Sequence, residues 1–233
     1  MTKNAITWIR EDFRIEHNPA LAYATQNHEN VAALYIYNKA DFDNKREAQK
    51  WWLSKSLEVF QSELLKYKIN LQILEGDELE VFSKIKKKDD VSIYWNKIYE
   101  PDVIAKGKKI RDVFIKNEIE FKYFKGNILN EFQEVTKNDG TPFKVFTPFW
   151  RACNRRPHPH QPLPVPEMST YDGKVEGEEL SDWRLLPTAP NWALGWNDLW
   201  RPGEAGAQTA LIQFLDHHVQ HYGDGRDIPA AYL

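Results

Sequence analysis

The sequence predicts an α/β fold: a Rossmann-like, doubly wound sheet of five parallel strands, followed by an irregular connector and a closing helix. Three observations carry that prediction. Apolar runs of strand length alternate with helical stretches over residues 1–125, the pattern of parallel strands joined by crossovers. Within the longest helical stretch Leu53, Leu57, Phe60, Leu64 and Tyr67 recur at i, i+4, i+7, i+11 and i+14, which is one apolar stripe. After Lys125 the alternation stops.

The first strand, Ala5–Ile9, runs into a charged loop and then a helix near Pro19–Gln26. Asn18 suits the cap because its side chain accepts from orphan amide groups, and Pro19 suits the first helical position. Arg10, Asp12 and Arg14 alternate just past the strand's carboxyl end, where open α/β sheets bind ligands. The plainer reading is an Arg/Asp lattice that pins the loop, and the chemistry supports both equally. Val31–Tyr37 is the second strand, with the long helix Arg46–Tyr67 after it. Asn70–Leu74, Val91–Trp95 and Glu120–Phe124 complete the strands, with helices at Glu78–Lys87 and Asp102–Lys116 between them. Right-handed crossovers give the order 3-2-1-4-5 and a cleft beside the first strand, where Arg10 to Arg14 emerge. No G-x-G-x-x-G or G-x-x-x-x-G-K-S/T follows any strand, so the dinucleotide and P-loop readings lose their main support.

Beyond Lys125, Asn138-Asp139-Gly140-Thr141 is a turn signal between Phe132–Thr136 and Phe143–Phe146, which predicts a small hairpin. From Pro157 to Pro202 the chain is rich in proline, tryptophan and acidic residues without sustained periodicity, so it reads as a connector. A helical pattern resumes near Glu204, sets Leu211, Phe214, Leu215, Val219 and Tyr222 on one broad face, and ends at Gly223. The chain thus divides into 1–130, 131–202 and 203–233.

Composition narrows the function classes. At 233 residues, 42% apolar and 13% aromatic, the chain buries a real core and is not a disordered segment. One cysteine, Cys153, excludes an internal disulfide and fits a reducing cytosol, so a cytoplasmic protein is expected. The apolar runs are strand-length, and no membrane partner is expected. A net charge of −3 gives no global reason to bind nucleic acid, so any DNA contact must be a local patch. Residues 1–150 carry 24 basic and 23 acidic side chains, whereas residues 151–233 carry 7 and 11. That shift suggests a domain boundary, or two segments of different ancestry joined near Trp150. His217 and His221 lie at i, i+4, and His158 and His160 flank Pro159, but no H-E-x-x-H or cysteine cluster completes a zinc site. No metal is expected, and Cys153 lacks the partner set of a nucleophile.

The stretch from Thr7 to Leu21 resembles the amino-terminal signature of the photolyase/cryptochrome family, W-x-R-x-D-L/F-R-x-x-D/H-N-P-A-L. Further segments resemble the family in the same order. They are Trp51-Trp52-Leu53-x-x-Ser56-Leu57, Tyr99-Glu100-Pro101, the run from Phe143 to Ala152, Trp200-Arg201-Pro202-Gly203-Glu204-x-x-Ala207, and Tyr222-x-x-x-Arg226-Asp227-x-Pro229. The resemblance covers nearly the whole chain and points to the cyclobutane-pyrimidine-dimer photolyase type. It implies an α/β antenna domain at 1–130, an interdomain connector at 131–202, and the first helix of an all-α flavin-binding domain at 203–233. It also implies a monomer in which light excites FAD, directly or through an antenna. The excited flavin then passes an electron to a flipped-out dimer in damaged DNA.

Carried over residue by residue, the resemblance makes Tyr222 an FAD contact and Arg226 a contact of the DNA backbone near the lesion. A tyrosine ring covering a ligand edge and a guanidinium–phosphate pair are sound chemistry for those roles. The plainer reading is a core tyrosine and a surface Arg226–Asp227 pair. The family's antenna is a folate, a deazaflavin or FMN, and Arg10, Glu100, Asp102 and Lys106 are its expected lining here. Their plainer reading is solvated loop charge. Folate-type members carry a carboxylate shortly after the Y-E turn, where this sequence has Val103, and that departure argues against folate.

No catalytic residue is assigned, because the family's lesion pocket and electron-relay tryptophans follow a T-S-x-L-S-P motif that this sequence does not reach. The nine tryptophans here are not that relay. The expectation is an amino-terminal portion that binds at most an antenna and needs the flavin domain for repair. Two other readings stay open: a non-catalytic Rossmann-like chromophore- or nucleotide-binding module, and a fragment of a cryptochrome-like photoreceptor.

Overall fold

The computed structural model describes residues 3–42, 46–88, 90–157, 163 and 177–228. His158, His160 and Pro229 lie outside the described residues. Five parallel strands form one sheet in the order β3-β2-β1-β4-β5, as the sequence predicts. They are β1 (Asn4–Ile9), β2 (Asn30–Tyr37), β3 (Asn70–Glu75), β4 (Val91–Asn96) and β5 (Phe121–Phe124). The crossover helices are α1 (Pro19–Asn27), α2 (Lys39–Phe42), α3 (Glu47–Leu65), α4 (Glu78–Lys88) and α5 (Pro101–Lys116). Only α2 has no counterpart in the sequence pattern, since its four residues are too short to show a helical period.

Both faces of the sheet are covered, which explains why the central strands read as continuous apolar runs. On one face Ala5, Ile9, Val31, Ala33 and Tyr35 meet Leu21 of α1 and the α3 stripe Leu53, Leu57, Phe60 and Leu64. On the other, Ile6, Trp8, Leu34, Ile36 and Ile93 meet Val81 and Phe82 of α4 and Ile110 and Phe114 of α5. Burying each such large side chain stabilises the fold by roughly 1.5–3 kcal/mol. Asn18 caps α1 by accepting from Leu21 N at 3.2 Å, with Pro19 at the first helical position.

The second part of the chain departs from its sequence pattern. The expected hairpin is a single antiparallel bridge, Thr136 to Pro142. Asp139 Oδ1 accepts from both the amide and the hydroxyl of Thr141, so the turn is closed locally and needs no ladder. Phe143–Phe146 is not a strand. Phe146 opens α6 (Phe146–Asn154), whose third residue, Pro148, lacks only an amide that no first turn can pair.

The described part of the connector after residue 176 is more ordered than its lack of periodicity implies. A 3₁₀ turn (Leu180–Trp183) and α7 (Trp196–Leu199) lie within it. Glu178 N donates to Ile73 O at 2.9 Å, and the Glu178 carboxylate accepts from Glu75 N at 3.0 Å and Trp183 Nε1 at 2.7 Å. Those bonds cover the edge of β3, while the Trp183 ring stacks on Tyr37 at 4.6 Å. Trp196 meets Trp51 edge-on at 5.2 Å, and Trp200 meets Trp52 at 6.0 Å, so the connector's indoles seat on the start of α3.

Helix α8 (Glu204–His217) follows. Its Glu204 carboxylate accepts from Ile15 N at 2.7 Å and Glu16 N at 3.1 Å, which latches it to the loop after β1. Gly203, at φ +100°, lies so close to α3 that a Cβ would meet Val59 Cγ1 at 2.6 Å. The helix does not continue to Gly223 as predicted. It breaks at His218, and a 3₁₀ turn (Val219–His221) and α9 (Tyr222–Gly225) follow, which takes His221 out of helical register with His217. Leu211, Ile212, Leu215, Val219 and Tyr222 remain exposed. No described helix is long and apolar enough to cross a membrane.

Candidate functional site at the carboxyl edge of the sheet

The charged loop after β1 is held from the end of β4. Asn96, buried, donates through Nδ2 to Asp12 Oδ2 at 2.6 Å and Asn18 Oδ1 at 2.8 Å, and its Oδ1 accepts from Ala20 N at 3.1 Å. Asp12 Oδ1 in turn accepts from Arg10 N at 3.1 Å, and Arg14 Nε donates to His17 O at 3.1 Å. Asp12 and Arg14 therefore form the loop-pinning lattice. Arg10 is different: it donates to the Asn96 carbonyl, sits 4.8 Å above the Trp8 ring, and still faces open space. Burial pulls its pKa down to about 10, opposed by Asp12, Glu11 and Glu78, so it is a cation at neutral pH.

Two cavities meet at this residue. One, of about 430 Å³, is lined by all four side chains expected from the sequence: Arg10, Glu100, Asp102 and Lys106. Within it Lys106 Nζ pairs with Glu78 at 2.6 Å, and Glu78 also accepts from Asn38 Nδ2 at 3.2 Å. Glu100 and Asp102 stand at the start of α5, where the helix dipole favours carboxylates. The other cavity, of about 500 Å³, is walled by Phe13, Gln49, Trp52, Leu53, Trp196 and Trp200. Arg10, Glu11 and Tyr35 border both.

Sequence reasoning missed Tyr35, Glu78 and the three indoles. Trp52 lies in a segment that resembles the family, but nothing in the periodicity of 157–202 brings Trp196 and Trp200 to it. Tyr222 and Arg226 line neither cavity. Tyr222 is half-exposed with its ring 5.9 Å from Phe214, and Arg226 Nε lies 3.6 Å from Asp227 on the surface. Among the described residues no group of three or more His, Cys, Asp and Glu is placed to hold a metal ion.

The family model described as DNA photolyase matches residues 5–167, a span that holds the sheet from Ala5 onward and the loop bearing Arg10. The chain belongs to the DNA photolyase family. Among photolyases it is 34% identical, over 98% of its length, to a deoxyribodipyrimidine photo-lyase of Agrobacterium fabrum, of which it spans 48%. It is 27% identical over 95% of its length to cryptochrome-1 of Arabidopsis thaliana, of which it spans 33%. The crystal structure of a class III photolyase from Agrobacterium tumefaciens superposes with a TM-score of 0.89 at 32% identity. That match covers 98% of this chain and 48% of the other. An archaeal photolyase from Sulfolobus tokodaii, solved with two FAD molecules and described as implying a novel light-harvesting cofactor, matches at a TM-score of 0.59 and 28% identity. It covers 71% of this chain and 37% of its own. The chain thus spans about half or less of the length of these photolyase and cryptochrome relatives. The composition break near Trp150 falls inside α6, and the Agrobacterium photolyases match across it.

Proposed function

We propose that this chain is the α/β portion of a deoxyribodipyrimidine photolyase-like protein, a light-driven, FAD-dependent system for repairing cyclobutane pyrimidine dimers in DNA. Its own task is to hold a light-harvesting chromophore at the carboxyl edge of the sheet. The observation that carries this reading is the pair of cavities, about 500 and 430 Å³, that meet at Arg10, Glu11 and Tyr35. Both fall within the range of small-molecule sites, and they lie where open α/β sheets bind ligands.

The walls suit a planar conjugated ring. Trp52, Trp196, Trp200 and Phe13 offer aromatic surface on which it packs, and Arg10 offers a fixed cation at the inner wall. The smaller cavity takes the ring's substituent, bordered by Glu100, Asp102 and Lys106. Its four carboxylates, Glu11, Glu78, Glu100 and Asp102, face only Arg10 and Lys106, which disfavours a phosphate there. A deazaflavin, or FMN with its phosphate turned to solvent, fits this lining. The archaeal relative, described with two FAD molecules, supports a flavin-type ring. When bound, the antenna supplies light absorption; the residues of this chain orient it and exclude water from it.

FAD itself belongs to this reading through the family. Tyr222 as an FAD contact and Arg226 as a DNA-backbone contact rest on the family's pattern, because neither lines either of these two cavities. Repair then needs the flavin domain, in a cytoplasmic monomer acting on damaged DNA. The similarity to a plant cryptochrome favours a second reading, a photoreceptor portion with the same antenna and no repair.

The test is the near-ultraviolet and visible absorbance of the purified chain, with mass spectrometry of whatever heat releases. A stoichiometric flavin, deazaflavin or folate supports the antenna role. No chromophore, even after reconstitution with all three, removes it.

A further inference from the structure

We propose that the Tyr35 hydroxyl reads the chromophore: it donates a hydrogen bond to a neutral acceptor, a ring carbonyl or unprotonated ring nitrogen, where the two cavities meet. The inference rests on the antenna reading and deepens it by naming the selecting group and the chemistry it selects.

Tyr35 lies near the carboxyl end of β2, in register with Ile9 of β1 and Ile73 of β3. Its ring is fixed by Phe13, 5.6 Å away, and Trp183, 6.1 Å away, and the residue is only 5% exposed. Its ring therefore belongs to the core, and the residue borders both cavities. No hydrogen bond to that hydroxyl is formed among the described residues. A phenol at the carboxyl end of a sheet, bordering two cavities and unpaired among the described residues, stays costly until a ligand or water accepts a hydrogen bond from it.

The surroundings fix the type of acceptor. Burial, with the charges of Glu11 and Glu78, holds the hydroxyl's pKa far above its ordinary value, so it remains a donor at physiological pH. Four carboxylates, Glu11, Glu78, Glu100 and Asp102, outnumber the two cations Arg10 and Lys106 around the smaller cavity, a balance that favours a neutral acceptor over an anionic one. A flavin, deazaflavin or pterin ring presents such groups along one edge; a bare hydrocarbon ring of the same size does not. The aromatic wall explains affinity for flat rings, and Tyr35 explains choice among them.

The test is Tyr35→Phe, which keeps the ring and removes the one oxygen. Riboflavin, 5-deazariboflavin and 5,10-methenyltetrahydrofolate are titrated into the wild-type chain and the variant, and quenching of tryptophan fluorescence is followed. The melting temperature is measured without ligand. The expected result is about ten-fold or greater loss of affinity for whichever ring the wild type binds, with an unliganded melting temperature unchanged or raised. Affinities within about twofold overturn the role of Tyr35 and leave the antenna reading standing. A fall in the unliganded melting temperature shows that the hydroxyl is structural. Failure of the wild type to bind any of the three removes both proposals.

Discussion

Asn96 Nδ2 lies 2.6 Å from Asp12 Oδ2, so one buried amide at the end of β4 fastens the loop that carries Arg10. The same amide group holds Asn18 and Ala20, and the Asn96 carbonyl accepts from Arg10 itself. Asn96→Ala removes three side-chain hydrogen bonds and strips Asp12 Oδ2 of its donor. The expected cost is about 2–4 kcal/mol in denaturant unfolding. A variant as stable as wild type would mean that the loop holds itself.

Thr7 gives the opposite sign. Its Oγ1 is buried in the middle of β1 without a hydrogen-bond partner among the described residues. Thr7→Val replaces that hydroxyl with a methyl of similar shape in a strand that favours β-branched residues. Stability should rise by about 1 kcal/mol, read as a higher denaturant midpoint at unchanged slope.

These two residues show what the sequence makes legible. Strand order and the α3 stripe follow from periodicity, because burial on one helix face and two sheet faces writes itself into the spacing of Leu53, Leu57, Phe60 and Leu64. The loop chemistry was half legible: the Arg/Asp alternation marks a lattice, but its hub, Asn96, lies 84 residues from Asp12 and no local pattern joins them. Arg10, Glu100, Asp102 and Lys106 come together around one cavity because strand ends and helix starts converge on one edge. Tyr35 reads from sequence as one more apolar strand residue, and Trp196 and Trp200 as loop residues. Their position depends on ring contacts across the fold.

Acid should loosen the segment between β5 and α6. Glu134 holds its carboxyl below the ordinary glutamate range, through the Glu131 amide first and then Lys125 and Arg156. A depressed folded-state pKa adds stability that is complete above the ordinary value of 4.5 and is lost as pH falls through the lower folded value. Glu134→Gln should therefore be less stable than wild type at neutral pH, and the gap should close on acidification. The pair is half-exposed, so the effect is small and should weaken in salt. A gap that does not narrow on acidification would place the contribution in packing rather than charge.

Glu204 and Gly203 make a joint prediction about α8. Glu204→Ala leaves the Ile15 and Glu16 amides without their carboxylate, so exchange with deuterium at those two sites should rise while strand amides stay protected. Gly203→Ala should act on the same amides from the other side, since its Cβ collides with Val59 and its φ of +100° disfavours any side chain. Unchanged protection in both variants would detach the latch from the loop.

The last prediction separates the two cavities. Trp52 and Trp200 are 44% and 45% exposed, so replacing either with alanine costs the fold little, although both wall the larger cavity. If the planar ring lies between those indoles, Trp200→Ala should weaken chromophore binding by about 10- to 100-fold, the range expected for losing an aromatic contact with its buried area. Asp102→Asn touches only the smaller cavity and removes one of its excess negative charges. It should leave a neutral ring's affinity nearly unchanged and should improve the binding of FMN relative to riboflavin, because only FMN carries a phosphate to be repelled. The two substitutions act through different physics, area in one case and charge in the other. Their effects should therefore add in the double variant if ring and substituent occupy separate cavities. Loss of riboflavin binding on Asp102→Asn, with none on Trp200→Ala, would instead seat the ring among the carboxylates.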